Sequence, residues 1–193
     1  MSRMARKNCK NGFTVGELLI VVAIIAALVG IAIPVITKKV EKAREAYDIH
    51  TMRQAASAAI ELYYAGVTDQ SSANTAGMSW SDEGGNEGHN AYGAYNPTNG
   101  TFCKDRASLP AAVKTYGKGT ALDGGTVYVM GNPTGAYAAN CDYTNAVVMV
   151  AIYPDAARKH ADIYWKNNKN GAQYVGGQQA KNIPKYCIRI YFE

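Results

Sequence analysis

Two hydrophobic patterns meet end to end in the first third of the chain. Leu18 to Ile36 is a run of 19 residues without a charged or polar side chain, close to the roughly 20 that cross a bilayer as a helix. From Thr37 the pattern becomes one-sided. Ile49, Met52, Ala56, Ala59, Ile60 and Tyr63 recur at steps of three and four, the stripe of an amphipathic helix. No Gly or Pro interrupts Thr37 to Ala65, which is rich in strong helix formers, and Gly66 is placed to stop the helix. Thr14 to Ala65 is therefore predicted as one helix of 52 residues, apolar all round in its first half and on one side in its second. Pro34 falls inside it and removes a backbone hydrogen bond, so a kink or local loosening is expected there, helped by Gly30.

Beyond Gly66 the periodicity disappears. Ser71-Ser72-Ala73-Asn74 and Gly84-Gly85-Asn86-Glu87-Gly88-His89-Asn90 are turn-rich. Gly66 to about Arg106 reads as a long surface loop with at most a short strand near Ala91–Tyr95. Ser108, Pro110 and Ala111-Ala112-Val113 suggest a short capped helix ending at Gly117. In the last third, Thr126–Met130, Ala146–Tyr153 and Tyr186–Phe192 read as strands. Ala161–Trp165 fits either a further strand or the end of a short helix begun at Asp155. Three or four antiparallel strands need a second layer over one face, and the stripe from Ile49 to Tyr63 supplies it. The expected fold class is α+β, one long N-terminal helix packed on a 3–4-stranded antiparallel sheet.

Charge refines this picture at the N-terminus. The formal net charge is +5, from 20 Lys and Arg against 15 Asp and Glu. Four of the basic residues, Arg3, Arg6, Lys7 and Lys10, lie in the first twelve positions, which hold no acid. Without them the balance is nearly even, which argues against nucleic acid as a primary partner. Cysteines fall at 9, 103, 141 and 187, with no C-x-x-C, and histidines only at 50, 89 and 160, so no zinc site is expected. In an exported chain two of Cys103, Cys141 and Cys187 are expected to pair. Cys141 with Cys187, each near a predicted strand, is the preferred pair and Cys103 the alternative. Asp82, Glu83, Glu87 and His89 do not follow the order of a calcium loop and read as a solvated acidic loop. No cofactor is expected. No G-x-S-x-G, H-E-x-x-H or G-x-x-x-x-G-K-[ST] occurs, and no enzyme activity is expected.

The N-terminal 36 residues fit three readings: a secretory signal, a plain transmembrane anchor, or a leader cut before Phe13. The apolar run is long for a signal peptide and lacks an A-x-A site. Basic residues on both sides, with Lys38, Lys39, Lys42 and Arg44 following, leave an anchor unoriented. One acid, Glu17, stands at the front edge of the run, and an acid there is functional by default.

Gly12, Phe13, Glu17 and Pro34 resemble the prepilin signature of type IV pilins and pseudopilins: a short basic leader ending in Gly, an aromatic residue, Glu four positions on, then an apolar helix carrying a proline. The resemblance covers residues 1 to about 45, and its elements stand at fixed offsets from one another. Gly16, where a branched apolar residue is commoner, and Asn11, where Lys is commoner, depart from it. It implies that residues 1–12 are a leader removed by a prepilin peptidase between Gly12 and Phe13, with Phe13 N-methylated. Residues 13–65 would form the membrane and filament-core helix, and residues 66–193 a globular head. Cleavage would give Phe13 an ammonium with a reference pKa of about 7.7–8.0. The family role of Glu17 is to pair with that group on a neighbouring subunit, and the region of Pro34 often loses helicity on assembly.

The resemblance thus implies a homopolymer built by a membrane assembly machinery. Its subunit would lie in the cytoplasmic membrane first and in an extracellular pilus afterwards, serving adhesion, motility or DNA uptake. A pseudopilin of a type II-like secretion or competence system is one alternative. A membrane-anchored binding or adhesion domain that never polymerises is another.

Overall fold

The computed structural model describes residues 12–82, 87–120, 135–138, 141–167, 173–180 and 182–193. The elements are helices α1 (Val15–Tyr64) and α2 (Gln70–Thr75) and strands β1 (Ser79–Ser81), β2 (Asn90–Asn96), β3 (Thr101–Cys103), β4 (Val147–Tyr153), β5 (His160–Lys166), β6 (Gln178–Ala180), β7 (Ile183–Pro184) and β8 (Ile188–Tyr191). The fold is α+β, with the long N-terminal helix packed against an antiparallel sheet. By its contacts the chain divides into two compact units, Met1–Thr37 and Lys38–Glu193.

In the first unit, residues 15–37 are helical throughout and every described side chain is exposed. Helical assignment continues through Gly30 and Pro34. The Thr37 hydroxyl donates to the Ile33 carbonyl at 2.9 Å, one turn back. This segment is long and apolar enough to cross a membrane, and its most apolar window has no buried residue.

The second unit contains the core. Met52, Ala55 and Ala59 have 0 % exposure, and they join one apolar cluster with Val148, Val150, Ile152, Ile163 and Ile188. Small alanines on the helix leave space for these branched sheet residues. The helix ends in a Schellman motif: Gly66 N–H donates to Tyr63 and Val67 N–H to Leu62, at 3.0 and 3.1 Å. Gly66 has φ of 97°, a conformation that suits glycine.

The main sheet has six strands, in the order β1-β2-β4-β5-β8 with β3 also paired to β2, more than the three or four expected. The additional strands lie in the stretch read as a long loop. There β2 spans seven residues and sits beside the central strand, while β1 (Ser-Trp-Ser) and β3 (Thr-Phe-Cys) are too short and polar for a period of two to show. The same stretch holds α2, started by an Asp69–Ser72 capping box. Residues 160–166 are strand, which settles the strand-or-helix alternative. The helix expected after Ser108 is a single 3-10 turn at Ala111–Val113 without a side-chain cap, because Ser108 instead bonds Asp105 through its N–H and hydroxyl. The expected strand Thr126–Met130 lies outside the described residues.

Strand β4 is buried at all seven positions, so both faces of the sheet centre are covered. The Phe192 ring stacks on Tyr63 of α1 at 3.8 Å, and Phe192 is in phase with Ile188 and Ile190. That phase marks the helix side. The opposite phase carries Asn90, Tyr92, Asp162, Tyr164, Lys166 and Arg189, aligned across the strands by register.

Cys103, Cys141 and Cys187 are thiols in this structure, so the expected Cys141–Cys187 bridge is not formed in it. Cys187 enters β8 at 0 % exposure and packs in the apolar cluster, whereas Cys141 is half-buried at the cluster's edge.

Candidate assembly and processing site

Gly12 and Phe13 precede the first turn of α1. Phe13 is 92 % exposed, and a side chain added at Gly12 meets nothing within 4 Å. Among the described residues nothing covers the bond between them.

Glu17 does more than the sequence reading gave it. Its Oε2 accepts from the Thr14 N–H at 2.8 Å and from the Thr14 hydroxyl at 2.9 Å, while Glu17 N–H donates back to Thr14 Oγ1 at 3.2 Å. This is a capping box, with Thr14 as N-cap and Glu17 three residues later. The T-x-x-E spacing was present in the sequence and signals it. Among the described residues Oε1 of Glu17 accepts no hydrogen bond. One oxygen serves the helix start and the other faces outward beside the positive end of the helix dipole. Pro34 is exposed in the same helix; the structure does not bring it to Glu17.

A second cluster was not anticipated. Glu41, Glu45 and Asp48 are 2 %, 1 % and 0 % exposed on α1. Their spacing of four and three puts them on one helix face, a signal the sequence offered. Asp48 accepts from Lys118 N–H at 3.0 Å, Gly119 N–H at 2.7 Å and the Tyr137 hydroxyl at 3.1 Å. Glu41 accepts from Thr120 N–H and pairs with Arg44 at 3.5 Å. Glu41 and Asp48 thus hold the strap Lys118–Thr120 on the helix. Glycine is needed in that strap, because a Cβ on Gly119 would lie 1.8 Å from the Tyr137 hydroxyl. Burial pushes the Asp48 carboxyl up to about 6, against the pull of its hydrogen bonds.

Of the loop residues read as acidic and solvated, Asp82, Glu87 and His89 take part in ion pairs, and Glu83 lies outside the described residues. His89 Nδ1 contacts Asp155 and its Nε2 is 3.8 Å from Asp82, and the Asp155 partner raises the imidazole pKa. Arg189 binds Asp162 through two bonds of 2.7 Å and Glu87 at 3.4 Å. Among the described residues no group of three His, Cys, Asp or Glu is arranged to hold a metal ion.

No family model, curated protein or solved structure matches the chain.

Proposed function

We propose that this chain is the structural subunit of a type IV pilus, cut after Gly12 and polymerised through α1. The observation that carries the reading is the wholly exposed apolar segment Leu18–Ile36, directly preceded by Gly12, Phe13 and an outward-facing Glu17 oxygen. So much apolar surface needs cover, from lipid before assembly and from the same segment of other copies afterwards. A carboxylate and an ammonium brought together in such a core satisfy each other, and either alone is costly. Repeated head-to-tail contact that does not close gives a filament.

The double role of Glu17 supplies a sharp test. Glu17→Gln retains a capping-box residue and removes the charge, while Thr14→Ala breaks the box and retains the charge. Filament yield, measured by shearing and immunoblot, is expected to fall in Glu17→Gln with synthesis and cleavage unchanged, and to be reduced less in Thr14→Ala. Normal yield from Glu17→Gln contradicts the pairing. A non-polymerising anchored domain predicts that both variants leave surface display unchanged.

A further inference from the structure

The sheet face away from α1 holds a cavity of about 220 Å³. Asn90 and Tyr92 of β2 and Tyr164 and Lys166 of β5 line it, with Tyr174 and Asn182 across the opening. Tyr92, Lys166 and Tyr174 are half-buried, so the cavity opens to solvent. Its volume is below the roughly 300–1,000 Å³ of sites for drug-sized ligands, which leaves room for one ring-sized molecule.

Two polar groups at this cavity lack the partners their chemistry calls for. Asn90 is 8 % exposed, and among the described residues its Oδ1 is buried without a hydrogen-bond partner; its side chain also interacts with Tyr153. A buried orphan acceptor costs about 1–3 kcal/mol, so the site favours a molecule that brings a donor. Lys166 has no carboxylate partner among the described residues. Its ammonium lies 4.9 Å from the centre of the Tyr174 ring, and burial lowers its pKa. An anion beside it would offset the loss of solvent.

The walls between these groups are aromatic. Tyr164 and Tyr174 have ring centres 5.0 Å apart, and the Tyr174 hydroxyl donates to the Asn182 carbonyl at 3.3 Å. A second cavity of about 130 Å³ shares Tyr92 and Lys166 and adds Arg106. Arg106 donates to the Lys114 and Asn145 carbonyls, but among the described residues its buried Nη1 has no partner. Asp105 lines that second cavity too, with its carboxylate engaged by Ser108.

We propose that the larger cavity binds one acidic sugar residue, a hexuronate, with a hydroxyl donating to Asn90 Oδ1, the carboxylate on Lys166 and the ring against the tyrosines. This inference goes beyond filament assembly and does not depend on it. Hydroxyls, an anionic group and an apolar ring face occur together in that class, and the site offers the complement of each.

The test is calorimetric titration of the full chain in detergent with D-glucuronate, D-glucose and acetate. Glucuronate is expected to bind saturably, with glucose and acetate each at least about tenfold weaker, the loss of a charge-assisted or multipoint contact. Lys166→Gln, at a half-exposed position, should bring glucuronate down to the glucose level without changing the melting curve. Absence of saturable glucuronate binding, glucose or acetate equal to glucuronate, or wild-type affinity in a folded Lys166→Gln protein overturns the proposal.

Discussion

Asp48 keeps its carboxyl at 0 % exposure against two backbone N–H groups and a tyrosine hydroxyl, and pays for that position in charge. Its folded pKa of about 6 lies above the ordinary 3.8. A raised acid binds its proton more tightly when folded, so its stabilising contribution is complete below about pH 4 and disappears as pH rises through about 6. On this count the head is expected to gain on the order of 3 kcal/mol between neutral pH and about pH 4. Asp48→Asn, which keeps an acceptor and loses the charge, should flatten that part of the profile. Melting temperatures of both full-length proteins across the range check this; parallel profiles contradict it. The Glu41–Glu45–Asp48 spacing was readable in the sequence, but its partners were not. Lys118 and Gly119 stand about seventy positions away, and their contribution is backbone N–H, which no side-chain pattern encodes.

At the scale of elements, the long helix was legible to within a residue at each end, because apolar periodicity, a run of strong helix formers and a Gly stop all agree over fifty residues. Gly66 gives the prediction that belongs here. Its φ of 97° is left-handed and a Cβ would meet nothing within 4 Å, so Gly66→Ala isolates backbone strain. A loss of about 1–2 kcal/mol in denaturant unfolding is expected, and no loss contradicts the Schellman assignment. Strands β4 and β8 were visible as runs of β-branched and aromatic residues, whereas β5, with Ile163 as its one β-branched residue, fitted strand and helix equally. Strands β1 and β3 were not visible, since three-residue strands take their place from pairing with β2 and carry too few side chains for alternation to register. Nor did the turn-rich composition around β2 reveal that Ala91 and Ala94 are fully buried. Small residues are uninformative about burial until their neighbours are placed.

For the molecule as a whole, the exposed Leu18–Ile36 segment and the Gly12-Phe13 junction make one proposal: the apolar helix serves first as an anchor and then as filament core. Processing is its first step. Gly12→Val should place a branched side chain at the cut and retain the chain in the membrane fraction with its basic leader, seen as a larger band on immunoblot; normal processing argues against Gly12 as the recognition residue. The most direct measurement is the N-terminal residue and mass of this protein in material sheared from the cell surface. The account predicts sheared filaments whose subunit begins at Phe13, with or without one methyl group. A chain absent from the sheared fraction and held in the membrane with residues 1–12 attached would contradict it.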